Sequence, residues 1–171
     1  MADVFVSVGS NIRRRSSIKK GMRLLHELYG PLTFSAVRET KAVGFKGDPF
    51  YNLVVRFKTN ATAESICQRM KDIEAECGRS RRGIKFNART LDLDLLLYDD
   101  LQIDTDKLQL PRDEIFKYSF VLQPLAELIP TAVCPGRTET FAELWASLQK
   151  EMPADGAKLV DWQPIRASLL T

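Results

Sequence analysis

Between Leu91 and Tyr98 the chain reads Leu-Asp-Leu-Asp-Leu-Leu-Leu-Tyr, a strand-like apolar run that carries two acids two residues apart. Side chains alternate between the faces of a strand, so Asp92 and Asp94 share one face while Leu91, Leu93 and Leu95 share the other. The rise of a strand sets the two aspartate backbones roughly 6 to 7 Å apart, close enough for both carboxylates to converge on hard cations. An uncompensated buried carboxylate costs several kcal/mol, so a buried strand of this pattern demands a metal, basic partners or an open cleft on its acidic face. A half-exposed edge strand with solvated aspartates fits the same alternation, and the acid pattern alone leaves both readings open.

The residues just upstream favour the first. Arg79, Arg81, Arg82, Lys85 and Arg89 lie within eleven residues that contain no acid, interleaved with Gly83 and Phe86 and preceded by Gly78. A basic loop feeding a strand with two carboxylates is what a polyphosphate requires: guanidinium groups hold its oxygens and a carboxylate-bound metal neutralises them. The pairing points to a nucleoside triphosphate. A solvated turn whose arginines pair with neighbouring acids is the competing explanation.

The chain has 171 residues and a net charge of only +3, with 44% hydrophobic and 27% charged residues. These values fit one globular domain over residues 1–171 whose positive charge is local rather than spread over a nucleic-acid-binding face. Cys67, Cys77 and Cys134 lack the paired spacing of a disulfide framework or zinc site, which suits a reducing, cytoplasmic setting. His26 is the only histidine and falls in an amphipathic helical stretch, so an HExxH site is excluded and a helix-surface role is expected. A metal here would be bound by oxygen, which favours magnesium over zinc. The N-terminus reads as no signal peptide, and no stretch approaches the roughly eighteen apolar residues of a membrane span.

The pattern predicts a strand at Val4 to Val8, a turn at Gly9-Ser10-Asn11, a helix from about Arg15 to Tyr29, and strands at Thr33 to Glu39 and Tyr51 to Lys58. A helix over Ala63 to Glu76 follows, capped by Thr62, with Ile66, Met70 and Ile73 on one face. The acidic strand completes a β-α-β-β-α-β order, that of a ferredoxin-like α+β fold with an antiparallel sheet covered by helices on at least one face. C-terminal additions are expected as a small β element near Leu108, a short helix around Leu125 to Leu128 and a helix near Phe141 to Gln149. The weakly patterned tail after Pro153 carries Trp162 and Leu169-Leu170, which either dock on the body or hang loose.

Ala88-Arg89-Thr90-Leu91-Asp92-Leu93-Asp94-Leu95-Leu96 resembles the Pro-Arg-x-x-Asp-hydrophobic-Asp signature of the 6-hydroxymethyl-7,8-dihydropterin pyrophosphokinases of folate biosynthesis. Supporting matches are Val8-Gly9-Ser10-Asn11, Phe50-Tyr51-Asn52, Ile73-Glu74 before Gly78-Arg79, and Phe120-Val121-Leu122-Gln123-Pro124-Leu125. The resemblance runs from Val4 to about Pro135 and implies transfer of diphosphate from ATP to the pterin hydroxymethyl group, with AMP released. It implies two magnesium ions on Asp92 and Asp94, with Arg79 and Arg89 steadying the migrating diphosphate as the catalytic arginines. ATP would be held by Glu74, Arg81, Lys85, Phe86, Lys107 and Arg112. The pterin would be recognised by Thr40, Ala42, Val43 and Asn52, between Phe50 and Phe120. Expected partners are these two small molecules, without nucleic acid or membrane, on a monomer, with no fused dihydropteroate synthase in the chain.

This sequence departs from the family pattern at four positions. Arg112 stands after Pro111 where a histidine is usual, and Tyr118 stands two residues before Phe120 where an arginine is common, with Lys117 as the nearest replacement cation. Ala88 replaces a proline, and Phe86 replaces a frequent tryptophan. Two alternatives stay open at this point: a divergent relative acting on or binding another pterin, and an RNA-binding ferredoxin-like module built on the basic loop.

Overall fold

The computed structural model describes residues 1–43, 46–78, 90–152 and 157–165. Its centre is the pair β1 (Ala2–Ser10) and β4 (Phe50–Thr59), antiparallel over nine residue pairs from Ala2↔Thr59 to Ser10↔Tyr51. Strand β5 (Asp92–Tyr98) pairs with the other side of β1, while β3 (Arg38–Thr40) flanks β4 and is itself flanked by β8 (Lys158–Leu159). The sheet order is therefore β5-β1-β4-β3-β8, with β2 (Thr33–Phe34) also on β4 and every pairing antiparallel.

Alternation sorts the side chains into two cores. Val4, Val6 and Val8 of β1, Leu53, Val55 and Phe57 of β4, and Leu93 and Leu95 of β5 share one face. Helices α1 (Arg14–Tyr29) and α2 (Ala63–Glu76) cover it with Ile18, Met22 and Leu25, and with Ile66, Met70 and Ile73. That spacing places one apolar stripe on each helix. Thr62 caps α2 as expected, its hydroxyl accepting from Ser65 N at 3.2 Å. The opposite face buries Phe5, Val54, Leu96 and Leu97 beneath α3 (Ser119–Leu128) and α4 (Phe141–Glu151). Helices thus cover both faces of an α+β structure.

Three local differences from the sequence expectation have physical causes. The expected strand Thr33 to Glu39 is interrupted because the Ser35 hydroxyl accepts from Val54 N at 2.9 Å while Ser35 N donates to Val54 O at 2.9 Å, substituting side chain for ladder. The short helix near Leu125 begins at Ser119: Pro124 removes one helical hydrogen bond, and burial of Val121, Leu122 and Leu125 offsets that loss. A bulge between Phe5↔Leu97 and Val6↔Leu95 leaves Leu96 as an extra residue, so Leu96 and Leu97 both turn to the α3 side.

The β element near Leu108 is a hairpin of β6 (Ile103–Asp104) and β7 (Gln109–Leu110). The described part of the tail docks: Val160 N donates to Val37 O at 2.9 Å, the Trp162 ring lies 6.2 Å from that of Tyr51, and Ile165 is 5% exposed, while Leu169 and Leu170 lie outside the described residues. All three cysteines are free thiols, and His26 lies half-buried on α1 with Nδ1 2.9 Å from Gly30 O. Among the described residues no helix is long and apolar enough to cross a membrane.

Candidate active site

The α3 side of the sheet is filled by apolar side chains at one end and left open at the other. Across three adjacent strands the register sets Asp92 opposite Gly9 and Gly9 opposite Asn52, with Asp94 opposite Ser7. Gly9 and Ser7 leave a low floor between the two polar walls. A Cβ on Gly9 would come within 3.0 Å of Asn52 Oδ1 and 3.7 Å of Phe50 Cδ1, so glycine is what keeps this floor open. Thr40, Lys41, Val43, Phe50 and Asn52 line one side of the resulting cleft, Asp92, Asp94 and Leu96 the other, and Glu114, Tyr118, Phe120 and Val121 the side toward α3. Its volume is about 190 Å³.

The two walls differ in chemistry. On the Asn52 side the amide Nδ2 donates to Thr40 Oγ1 at 2.5 Å, and both residues are buried. This bond fixes the amide's orientation and leaves its carbonyl and second N–H available to a planar heterocycle. The Phe120 ring is stacked on Tyr118 at 5.0 Å with a 19° interplanar angle, which holds an aromatic surface at the cleft.

On the aspartate side Arg112 Nη2 lies 3.1 Å from Asp94 Oδ1. The same guanidinium is gripped by Glu114, Nε donating to Oε2 and Nη2 to Oε1 at 3.3 Å. Arg112 N donates to Leu96 O at 3.0 Å, which ties this segment to β5 beside the acids. Burial works against the charge on Arg112, but Asp94, Glu114 and Asp92 together outweigh it and raise its pKa above the ordinary value. Lys117 pairs with Asp113 on the exposed side of that turn and does not line the cleft.

The donor set fits magnesium. Asp92 and Asp94 offer carboxylate oxygens from one face of one strand, and no group of three His, Cys, Asp or Glu suited to a metal occurs among the described residues. Magnesium commonly binds through one or two carboxylates, keeping waters and taking phosphate oxygens for its other positions. Structural zinc cages are built mainly on histidine and cysteine, and neither lines this cleft among the described residues.

Residues 5–130 match the family model for 7,8-dihydro-6-hydroxymethylpterin-pyrophosphokinase (HPPK). The chain belongs to the HPPK family. It is 36% identical over 137 residues to the 2-amino-4-hydroxy-6-hydroxymethyldihydropteridine pyrophosphokinase of Aquifex aeolicus, covering 79% of this chain and 85% of that protein. The Bacillus subtilis enzyme of the same name is 33% identical over 129 residues, covering 72% and 76% respectively. A folate synthesis bifunctional protein of Arabidopsis thaliana is 34% identical over 132 residues, but the chain spans only 27% of its length. Among solved structures, Plasmodium falciparum HPPK-DHPS with pteroate superposes with a TM-score of 0.70 over 88% of this chain and 43% of that one; at 15% identity this shows the fold alone.

The residues that HPPK resemblance selected come together in large part. Asp92, Asp94, Thr40, Val43, Phe50, Asn52 and Phe120 all line the one cleft, and Arg112 reaches it through Asp94. Ala42 sits half-buried between the lining residues Lys41 and Val43. Glu74 is buried on α2 and Lys107 is exposed in the β6–β7 turn; neither lines the cleft. Arg79, Arg81, Lys85, Phe86 and Arg89 lie outside the described residues. Of the lining residues not assigned to the site beforehand, Ser7 carried a signal as a small residue in an apolar strand. Glu114 carried none, because its role depends on the fold bringing Arg112 to Asp94. Gly9, expected with Ser10 in a turn, lies instead within β1, because the strand keeps pairing there with Asp92 on one side and Asn52 on the other.

Proposed function

We propose that this cleft is where the HPPK reaction takes place. That reaction is transfer of a pyrophosphoryl group from ATP to 6-hydroxymethyl-7,8-dihydropterin in folate synthesis, and the chain is a diphosphotransferase. The observation that carries the placement is the three-strand register Asp92–Gly9–Asn52, which sets a carboxylate wall and an amide-and-aromatic wall on opposite sides of one open floor.

The pterin ring lies between Phe50 and Phe120, and Asn52, oriented by Thr40, reads its polar edge together with the backbone at Ala42 and Val43. The ring's hydroxymethyl group then faces the aspartates. Two magnesium ions held by Asp92 and Asp94 supply, when bound, neutralisation of the triphosphate charge. Arg112, with Arg79, Arg81, Lys85 and Arg89 of the basic loop, grips the phosphate oxygens, and Glu74, Phe86 and Lys107 contribute to the nucleotide side. The hydroxymethyl oxygen attacks the β-phosphorus in line and gives up its proton to water, forming one O–P bond as the bond to AMP breaks. No covalent enzyme intermediate is needed, because positioning and charge neutralisation carry such transfers. The sheet order and element sequence support a ferredoxin-like core in a single domain, and we place the enzyme as a cytoplasmic monomer.

The test is AMP formation from Mg-ATP and 6-hydroxymethyl-7,8-dihydropterin, run beside an Asp92→Ala, Asp94→Ala double variant. Pterin-dependent AMP release by the wild type and its loss in the folded double variant support the assignment. An active double variant removes it.

A further inference from the structure

Arg112 is held along the Nε–Nη2 edge of its guanidinium by two protein carboxylates, and one of those carboxylates belongs to the metal pair. Its Nη2 bridges Asp94 Oδ1 at 3.1 Å and Glu114 Oε1 at 3.3 Å, while Nε is committed to Glu114 Oε2. The bridge is partly buried: the side chains of Arg112, Asp94 and Glu114 are 34%, 34% and 38% exposed. Its root is anchored, because Arg112 N donates to Leu96 O on the same strand as the aspartates. The guanidinium also feels the charge of Asp92.

We infer that Arg112 is a resident counterion of the aspartate pair that discriminates against a bare divalent cation and in favour of a cation arriving with a polyphosphate. This rests on the assignment of Asp92 and Asp94 as the metal clamp. A doubly charged ion entering alone meets a positive group already seated 3.1 Å from one ligand oxygen, and it must weaken that pair or bear the repulsion. A cation that brings phosphate oxygens offers the guanidinium a new anionic partner, so Asp94 is released at little cost. Glu114 is then a positioning residue: it keeps Arg112 at the clamp while the arginine exchanges one anion for another. The arrangement makes capture of the cation and of the triphosphate one event rather than two.

The measurement is Mn²⁺ affinity, read from the electron spin resonance of the free ion, alone and with α,β-methylene-ATP, whose altered bridge resists transfer. Arg112→Gln is expected to bind Mn²⁺ alone about tenfold more tightly than wild type and Mn²⁺ with the analogue about tenfold more weakly. Lys41→Gln removes an equal charge from the lining of the same cleft and is expected to shift either affinity by less than about threefold. Equal shifts in the two variants, or no gain for Mn²⁺ alone in Arg112→Gln, overturn the inference. Asp94→Asn separates it from the reading beneath it: loss of Mn²⁺ binding there keeps the clamp assignment standing whatever Arg112 does, and unchanged binding removes both.

Discussion

The side-chain amide of Asn52, on a central strand of the sheet, donates to the hydroxyl of Thr40 on the neighbouring strand at 2.5 Å. Both are buried, so the bond sets the amide's direction before any ligand arrives. Thr40→Val keeps the shape and removes the acceptor, leaving an amide N–H with no partner at a cost of about 1 to 3 kcal/mol. The KM for the pterin should rise about tenfold in that variant with the KM for ATP little changed. Steady-state kinetics with each substrate varied in turn checks this.

Gly9 separates the two walls of the cleft. A methyl group there would sit 3.0 Å from Asn52 Oδ1, a distance at which the amide must give way. Gly9→Ala should weaken pterin binding about tenfold while leaving the melting temperature within about 3 °C, because the methyl points into the cleft, against the Asn52 side chain, rather than into packed core. Calorimetric titration of the pterin, paired with a thermal melt, separates the effect on the site from one on the fold.

The C-terminal segment is fastened to the sheet next to the strand that supplies Thr40. Ile165 is 5% exposed, and the Trp162 ring lies 6.2 Å from that of Tyr51, with the Arg15 guanidinium 5.7 Å from the Trp162 centroid. Ile165→Ala should cost about 2 kcal/mol, the low end for a core isoleucine, and lower the melting temperature by about 4 to 8 °C. Calorimetry against wild type tests it; an unchanged melting temperature would show that the tail contributes no stability.

Burial pushes the Cys134 thiol up to about 11, Arg137 opposing and Glu139 adding to the shift. Its folded-state value exceeds the reference value of 9.0, so the native state holds the proton more tightly. The contribution to stability is therefore full below about pH 9 and is lost as pH rises through about 11. Cys134→Ala should flatten the decline of melting temperature over that window. The Cys134 thiol is fully buried, so it should react far more slowly with a disulfide reagent than the half-exposed Cys67.

Much of the fold was legible in the chain because its signals are local. The valines of β1, the apolar stripe and Thr62 cap of α2, and the Leu–Asp alternation of β5 each report on their own backbone. The two explanations of that alternation both hold in part: β5 is an edge strand of the sheet, and its aspartates face a cleft rather than bulk solvent. What escaped local reading depends on partners far away in sequence. Ser35 breaks a strand only because Val54 lies opposite, and α3 runs back through Pro124 only because Leu96 and its neighbours bury it. The coverage of both sheet faces and the docking of Trp162 are of the same kind. In the site, the acids and aromatics were visible as residue types, whereas Glu114 acquires its role only when the turn after Pro111 sets Arg112 against Asp94.

The central claim is that one cleft, bounded by Asp92 and Asp94 on one side and Phe50 and Asn52 on the other, takes both substrates. The crystal structure of a ternary complex with 6-hydroxymethyl-7,8-dihydropterin, α,β-methylene-ATP and Mg²⁺ tests it most directly. The account predicts the pterin between Phe50 and Phe120, its polar edge on Asn52, with the metal-bound phosphates on Asp92 and Asp94 and the hydroxymethyl oxygen facing the β-phosphorus. A pterin bound elsewhere, or phosphates held away from both aspartates, would contradict it.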